Sequence, residues 1–296
     1  MRVYRVAWLG LGTMGAPMAE NVARAGIPLV VYNRTPGRAA ALRYAGVDVA
    51  ASPAEAASRA DVVVTILTGA DAVEQVLFGP SGAATDVIEN KLFVDMSTSG
   101  PRAALSIAAR LAQCGARFVD APISGTRGPA QAGELVVFAG GHEQDISQLA
   151  PLFAAIGKTT LHTGPVGSGQ TLKVIYNGLG CQHLMAFATM LRLGERAGLS
   201  RQVLIDAFTT GAFATPAYIG KRSRVAERRY DGPDFVLALV LRDAELCAEL
   251  QRQLGLELLT HAAAHREVAR AVAAGLGELD LFGVERLYDE LETAGP

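Results

Sequence analysis

The first half of the chain alternates short apolar runs with alanine-rich amphipathic stretches. The apolar runs have the length of buried strands, and they predict strands at residues 5–9, 29–32, 62–67, 92–95, 117–121, 135–139 and 160–163. The amphipathic stretches predict helices at residues 16–25, 39–43, 53–58, 70–77 and 101–114. Strands and helices in alternation are typical of the α/β class, so we expect a doubly wound, mostly parallel sheet with helices on both faces.

The pattern changes after residue 164. From Ser168 to residue 197 it predicts one helix, about 45 Å long at the usual rise per residue. Gly198 and Ser200 then supply a helix stop and a new N-cap. The rest of the chain predicts helices and no strand. We therefore expect an α/β domain over residues 1–164 and an all-α domain over residues 165–296, joined by the long helix.

Composition narrows the class of protein. Half of the 296 residues are hydrophobic and 19% are charged, which suits a full core. The net charge of −2 gives no broad electrostatic case for nucleic acid or an anionic membrane. With no apolar run near 18 residues and no signal peptide, we expect a cytoplasmic protein without a membrane span. Cys114, Cys181 and Cys247 lack metal-site spacing, so we expect reduced thiols and no bound metal.

A glycine-rich turn follows the first predicted strand and opens the first predicted helix. It consists of Gly10, Leu11, Gly12, Thr13, Met14 and Gly15. In this context the first glycine permits a sharp turn, the second lets a pyrophosphate approach the backbone, and the third lets the helix pack on the strand. A glycine pattern alone could be a structural turn, but the flanking strand and helix favour dinucleotide binding in a Rossmann domain.

The end of the second strand bears on which dinucleotide is bound. An acidic residue at this place binds the ribose 2′-hydroxyl of NAD, whereas NADP-binding proteins replace it and add cations. Here the strand leads into Asn33, Arg34 and Thr35. These residues could be only a turn, but a neutral amide followed by a guanidinium favours NADP(H), with NAD(H) still possible.

Three further segments carry groups that could take part in binding or catalysis. Ser124, Gly125 and Thr126 follow a strand and could present hydroxyl and N–H groups to a carboxylate, or form a simple turn. Lys173 and Asn177 are four residues apart and share one face of the long helix, although a lone helical lysine is usually a solvated surface residue. The third segment lies on a later helix and runs from Phe235 to Asp243.

In these motifs and their order, the chain resembles the β-hydroxyacid dehydrogenase family over essentially its full length. The resemblance also includes Met18, Asn21 and the run from Asp95 to Thr98, as well as Gly167 and Gly169 before Lys173. It implies a Rossmann domain, a long linking helix and an all-α domain, usually in a dimer or tetramer with the active site in the cleft.

The resemblance also implies roles for single residues. Lys173 matches the family's catalytic lysine and Asn177 the asparagine that orients the substrate. Ser124, Gly125 and Thr126 match the carboxylate-binding loop, and Phe235 and Arg242 fall on the substrate side. The matches to cofactor contacts, beyond the glycine turn and residues 33–35, are Leu67, Thr68, Thr98 and Asp243.

Two departures from the family pattern concern specificity. Tyr176 stands where many members have a first asparagine, and Arg242 stands where they commonly have lysine. Residues 33–35 and the run Gly128, Pro129, Ala130 favour the glyoxylate/succinic semialdehyde reductase branch. We expect NADPH-dependent reduction of a small aldehyde or keto acid of the glyoxylate, succinic semialdehyde or tartronate semialdehyde type.

Other functions remain open at this point. One is NAD-dependent oxidation of the 3-hydroxyisobutyrate dehydrogenase type. Another is an NADP-binding sensor without turnover, which Lys173 together with Asn177 disfavours. An imine reductase is disfavoured because that group usually lacks a lysine at the position of Lys173.

Overall fold

The structure is a computed structural model that describes residues 4–35, 37–38, 47–85 and 88–289. The helix predicted at residues 39–43 lies outside the described residues. The chain forms two compact units, Met1–Lys173 and Val174–Pro296. The domain boundary at residue 164 stays a prediction.

Over its described residues, the first unit contains a nine-stranded sheet. Its strands are β1 Val6–Leu9, β2 Leu29–Tyr32, β3 Asp48–Val49, β4 Val62–Thr65, β5 Leu92–Asp95, β6 Arg117–Asp120, β7 Ile123–Ser124, β8 Leu135–Gly140 and β9 Gly157–Gly164. Their order is β3-β2-β1-β4-β5-β6-β8-β7, and β9 pairs with β8. Neighbours from β3 through β6 are parallel, whereas β8 is antiparallel to β6 and β7. The predicted α/β class is therefore confirmed.

Helices connect the strands of this unit. They are α1 Gly15–Arg24, α2 Pro53–Ser58, α3 Ala70–Phe78, α4 Pro101–Gln113, α5 Arg127–Ala132, α6 Glu143–Gln148 and α7 Ala150–Ile156. Successive side chains of a strand point to opposite faces of the sheet, and here both faces are buried. Along β1, Val6 and Trp8 enter one core cluster, whereas Ala7 and Leu9 enter the other.

The order of strands places a crevice after β1. The chain leaves β1 for β2 on one side and later returns to β4 on the other side. Ligands of open α/β sheets bind at such a switch point, outside the carboxyl ends of the strands. The glycine turn at residues 10–15 lies there.

Among the described residues of this unit, five short elements were not predicted: β3, β7, α5, α6 and α7. β7 has two residues and pairs with β8 through Ile123 and Ser124, and α5 lies between these strands. Neither β7 nor α5 is long enough to show a periodic pattern. As a result, the predicted substrate loop forms part of an antiparallel hairpin rather than a plain turn.

The second unit is helical, as predicted. α8 Ser168–Arg196 leads into it, and α9 Arg201–Thr210, α10 Pro216–Ala226, α11 Leu237–Gln253 and α12 Leu259–Ala271 follow, with a π-helical turn at Val272–Leu276 and a 3₁₀ segment at Leu281–Arg286. Gly198 adopts a positive φ of 88° after α8, and Ser200 accepts a hydrogen bond from the Val203 N–H at the start of α9. Aromatic contacts of Phe187 with Phe208 and Phe282 lie in its core.

Candidate active site

The first glycine of the turn is required by the backbone itself. Gly10 has a φ of +118°, and a Cβ there would overlap the carbonyl oxygen of Ile66. Its N–H donates to the Tyr32 carbonyl at 3.0 Å, and its own carbonyl accepts a hydrogen bond from the buried Trp8 indole at 3.1 Å. These contacts fix the turn between β1, β2 and the residues after β4.

Gly12 and Gly15 differ in what surrounds them. A Cβ on Gly15 would overlap the Gly10 carbonyl oxygen, so this glycine permits α1 to lie close to β1. A Cβ on Gly12 would meet only the Arg38 guanidinium, at 3.9 Å. No described protein atom therefore requires a glycine at position 12, and the space beside it suits a ligand that approaches the backbone.

The start of α1 suits an anion. Among the described residues, no side chain caps this N-terminus, and the first turn of the helix holds no acidic residue. The first N–H groups of a helix have no partner within the helix and carry its positive dipole end. Together with the space at Gly12, this end fits the pyrophosphate of a dinucleotide. Thr13 is exposed beside it, and Met14 is half-buried.

Asn33 shapes the turn from the side of β2. Its Oδ1 accepts a hydrogen bond from the Leu11 N–H at 2.9 Å, and its Nδ2 donates to the Thr35 carbonyl at 2.9 Å. The Arg34 and Thr35 side chains are exposed beyond it. The neutral amide thus organises the turn, while the guanidinium of Arg34 faces solvent.

A second set of cofactor candidates lies at the ends of β4 and β5. The Leu67 N–H donates to Ser97 Oγ at 2.9 Å, which joins the two loops. Thr98 is half-buried between the buried Ser97 and Ser99, and Thr68 is exposed. Leu67 and Thr98 are therefore held on neighbouring loops.

Asp120 anchors the first turn of α8. The side chain is fully buried at the end of β6, and its oxygens accept hydrogen bonds from the Gly167 and Gln170 N–H groups at 2.6 and 2.7 Å. Burial raises the pKa of Asp120 to about 7, although these two N–H groups act in the opposite direction. Lys173 follows one turn after Gln170 and is half-buried.

The candidate carboxylate loop lies at the hairpin of β7 and β8. Ser124 is half-buried, whereas Gly125 and Thr126 are exposed, and Gly125 has a φ of +141°. Asn21 on α1 donates to the Ala130 carbonyl in α5 at 2.9 Å, which ties this loop to the helix that follows the glycine turn.

In the second unit, three predicted residues form one cluster. Asn177 Nδ2 donates to Asp243 Oδ2 at 2.6 Å, and Arg242 Nε donates to Asp243 Oδ1 at 2.9 Å. Asp243 is buried, while Asn177 and Arg242 are half-buried. Phe235 is half-buried and packs at the edge of the core of this unit. The carboxylate of Asp243 thus orients the two side chains that we predicted to contact substrate.

Beneath the site, the sequence indicated Asp95 and Ser97 only as part of a family motif, without a role, and gave no role to Gln170. Asp95, Ser97 and Gln170 are buried. The Ser97 N–H donates to the Asp95 carboxylate, and the Gln170 amide donates to the Ser97 carbonyl. Polar residues at the ends of two neighbouring apolar strands were a signal for Asp95 and Asp120. Gln170 had no such signal, since a helical glutamine is ordinary.

Comparisons with known proteins agree with this fold. Residues 5–164 match the model for the NAD binding domain of 6-phosphogluconate dehydrogenase, and residues 167–288 match that for the NAD-binding region of NADP-dependent 3-hydroxyisobutyrate dehydrogenase. Glyoxylate/succinic semialdehyde reductase 1 of Arabidopsis thaliana is 32% identical over 94% of this chain and 96% of its own length. The chain belongs to the β-hydroxyacid dehydrogenase family.

Other members of the β-hydroxyacid dehydrogenase family are similar to this chain over nearly its full length. The mitochondrial 3-hydroxyisobutyrate dehydrogenase of Rattus norvegicus is 30% identical over 97% of this chain and 88% of its own. The crystal structure of 3-hydroxyisobutyrate dehydrogenase from Salmonella typhimurium has a TM-score of 0.88, with 29% identity over 96% of this chain and 99% of the other. The protein is thus an NAD(P)-dependent oxidoreductase of the hydroxyacid dehydrogenase type. Among the described helices, none has both the length and the hydropathy of a membrane span.

Proposed function

We propose that this protein uses NADPH to reduce a small aldehyde or keto acid to the hydroxy acid. The observation that carries the proposal is the position of Lys173, half-buried on the anchored start of α8. We further propose that residues 1–164 bind the dinucleotide, and that residues 165–296 contribute to substrate binding and support a homodimer or homotetramer.

Lys173 is the proton donor in this proposal. When bound, NADPH would supply the hydride for the carbonyl carbon, and negative charge would then develop on the carbonyl oxygen. The Lys173 ammonium stabilises that charge and gives the oxygen a proton, which yields the alcohol. In the oxidation direction the neutral amine takes the proton back.

The preference for NADPH rests on the end of β2. Position 33 has no carboxylate that would repel a 2′-phosphate. The Asn33 amide instead makes hydrogen bonds with the backbone of the turn. Arg34 is exposed and offers a planar guanidinium that suits a phosphate, with the Thr35 hydroxyl beside it.

For the substrate we propose a small carboxylate. Ser124, Gly125 and Thr126 hold the carboxylate, and Asn177 orients the substrate. Arg242 and Phe235 set its size and charge, and Asp243, which we predicted from the resemblance as a cofactor contact, fixes Asn177 and Arg242. An arginine in place of lysine keeps the charge but is larger and planar, which favours a different carboxylate geometry.

Replacing Arg34 by alanine should raise the KM for NADPH about 30-fold, because a hydrogen-bonded charge pair with the phosphate is lost. The KM for NADH should change less than about twofold, since NADH lacks that phosphate. Steady-state kinetics with both cofactors measure the two values. Arg252→Ala, at an exposed arginine of α11, is the matched control and should change neither. Equal increases for both cofactors in Arg34→Ala would contradict the NADPH assignment.

A substrate panel tests the proposed reaction. NADPH oxidation should be followed at 340 nm with glyoxylate, succinic semialdehyde and tartronate semialdehyde, and NAD⁺ reduction with 3-hydroxyisobutyrate. We expect turnover with at least one of the three aldehydes and NADPH. Turnover of 3-hydroxyisobutyrate with NAD⁺, without turnover of any of the three aldehydes with NADPH, would favour the 3-hydroxyisobutyrate dehydrogenase type. NADPH binding without any turnover would favour a sensor.

A further inference from the structure

A buried polar network lies beneath the candidate cofactor loops of the first unit. Asp95 and Asp120 are register partners at the ends of β5 and β6, and both are fully buried. Asp95 accepts hydrogen bonds from the Thr65 hydroxyl at 2.8 Å, the Ser97 N–H at 3.0 Å and the Ser99 hydroxyl at 2.7 Å. One carboxylate thus shapes the loop that carries Thr98.

Gln170 connects that loop to α8. Its side chain is fully buried, and its Oε1 accepts hydrogen bonds from the Ser99 and Gly100 N–H groups, both at 3.0 Å. Its Nε2 donates to the Ser97 carbonyl at 2.8 Å. One amide therefore bonds three successive parts of the loop on both sides of Thr98.

The start of α8 has little freedom to shift. A Cβ on Gly169 would overlap the Phe138 carbonyl oxygen, and a Cβ on Gly140 would come within 2.7 Å of Asp120 Oδ1. The backbone of Gln170 is at the same time held by Asp120. Because Gln170 is fixed at both its backbone and its side-chain amide, it holds the loop at a set position relative to α8.

We propose that Gln170 is a positioning residue for hydride transfer: it sets the distance between the loop around Thr98 and Lys173, one helical turn further along α8. The inference rests on the proposed role of Lys173 as proton donor. Gln170 touches neither reactant and acts through these two segments. Misplacement of reacting groups by about 1 Å can cost as much as 100-fold in rate.

Replacing Gln170 by alanine should lower kcat about 30-fold, while the Kd for NADPH changes less than about threefold, because the phosphate-binding residues lie elsewhere. Gln251→Ala is the matched control. Gln251 is also a buried glutamine, bonded to His261 Nδ1 at 2.9 Å and to Cys247 Sγ at 3.4 Å in the second unit. It should lower Tm to a similar degree and leave kcat within about twofold.

A double-mutant cycle with Lys173→Ala distinguishes positioning from a structural role. If Gln170 acts through Lys173, adding Gln170→Ala to Lys173→Ala lowers kcat by less than about threefold. If Gln170→Ala does not fold, Gln170→Glu takes its place, since it keeps the acceptor and loses the donor to Ser97. Wild-type kcat in the single variant, or additive losses in the cycle, overturns the inference. Failure of Lys173→Ala to lower kcat instead overturns the proposed role of Lys173 as proton donor.

Discussion

The Lys173→Ala variant should lose about 1,000-fold in kcat, the magnitude typical of a missing general acid. That loss corresponds to about 4 kcal/mol of transition-state stabilisation. The Kd for NADPH should stay within about twofold of wild type, because the phosphate-binding candidates are in residues 10–35. Steady-state kinetics give kcat, and quenching of protein fluorescence by NADPH gives the Kd.

Lys158→Ala is the matched control for this prediction. Lys158 is an exposed lysine on β9 in the same unit, and its loss removes one cation without touching α8. We expect its kcat within about twofold of wild type. A kcat of Lys173→Ala within about threefold of wild type would exclude this lysine as the proton donor.

The second large effect should come from Gly12→Val. A Cβ at this position would meet only the end of the flexible Arg38 side chain, at 3.9 Å, so the fold should tolerate the substitution, with Tm within about 2 °C of wild type. The added side chain also blocks the approach of a pyrophosphate to the backbone. We therefore expect the Kd for NADPH to rise about 100-fold, a loss of about 2.7 kcal/mol of binding free energy. Calorimetric titration with NADPH and a thermal melt measure the two quantities.

Two other glycines provide the contrast. Gly15→Ala places a methyl group against the Gly10 carbonyl oxygen and should lower Tm by roughly 5 °C. Gly180→Ala lies in α8, where the added Cβ would meet no other part of the described chain within 4 Å. It should leave NADPH binding unchanged and should not lower Tm. A Gly12→Val protein that binds NADPH normally would show that the phosphates bind elsewhere.

Hydrophobic periodicity predicted most of the fold because most of its elements are long or fully buried. β2 and β5 have the predicted bounds, and α8 ends one residue before the predicted end. β3 and β7 were missed because two-residue strands have no period to detect. Their pairing is decided by the neighbouring strands, not by local sequence.

The glycine turn could be predicted because its glycines follow a predicted strand and open a predicted helix. Only the structure shows that a Cβ would overlap protein atoms at Gly10 and Gly15 but not at Gly12. The contacts of Gln170 could not be predicted, since they join residues about 70 positions apart. Lys221 is a similar case. Its sequence neighbours suggest a solvated basic helix, yet it is buried and bonded to Asp234 and Asp280 at 2.8 and 2.6 Å.

The hairpin of β7 and β8 places the candidate carboxylate loop apart, along the gene, from the candidate cofactor residues of the first unit. β7 contributes two residues to the sheet, and its pairing is with β8. The cofactor candidates of the first unit lie at residues 10–98, whereas the candidate carboxylate loop lies at residues 124–126. Recombination within the codons for residues 123–134 could therefore change substrate range while the parallel strands from β3 to β6 are inherited intact. The candidate cofactor residues of the first unit and the candidate carboxylate loop are thus encoded in separate segments of the gene.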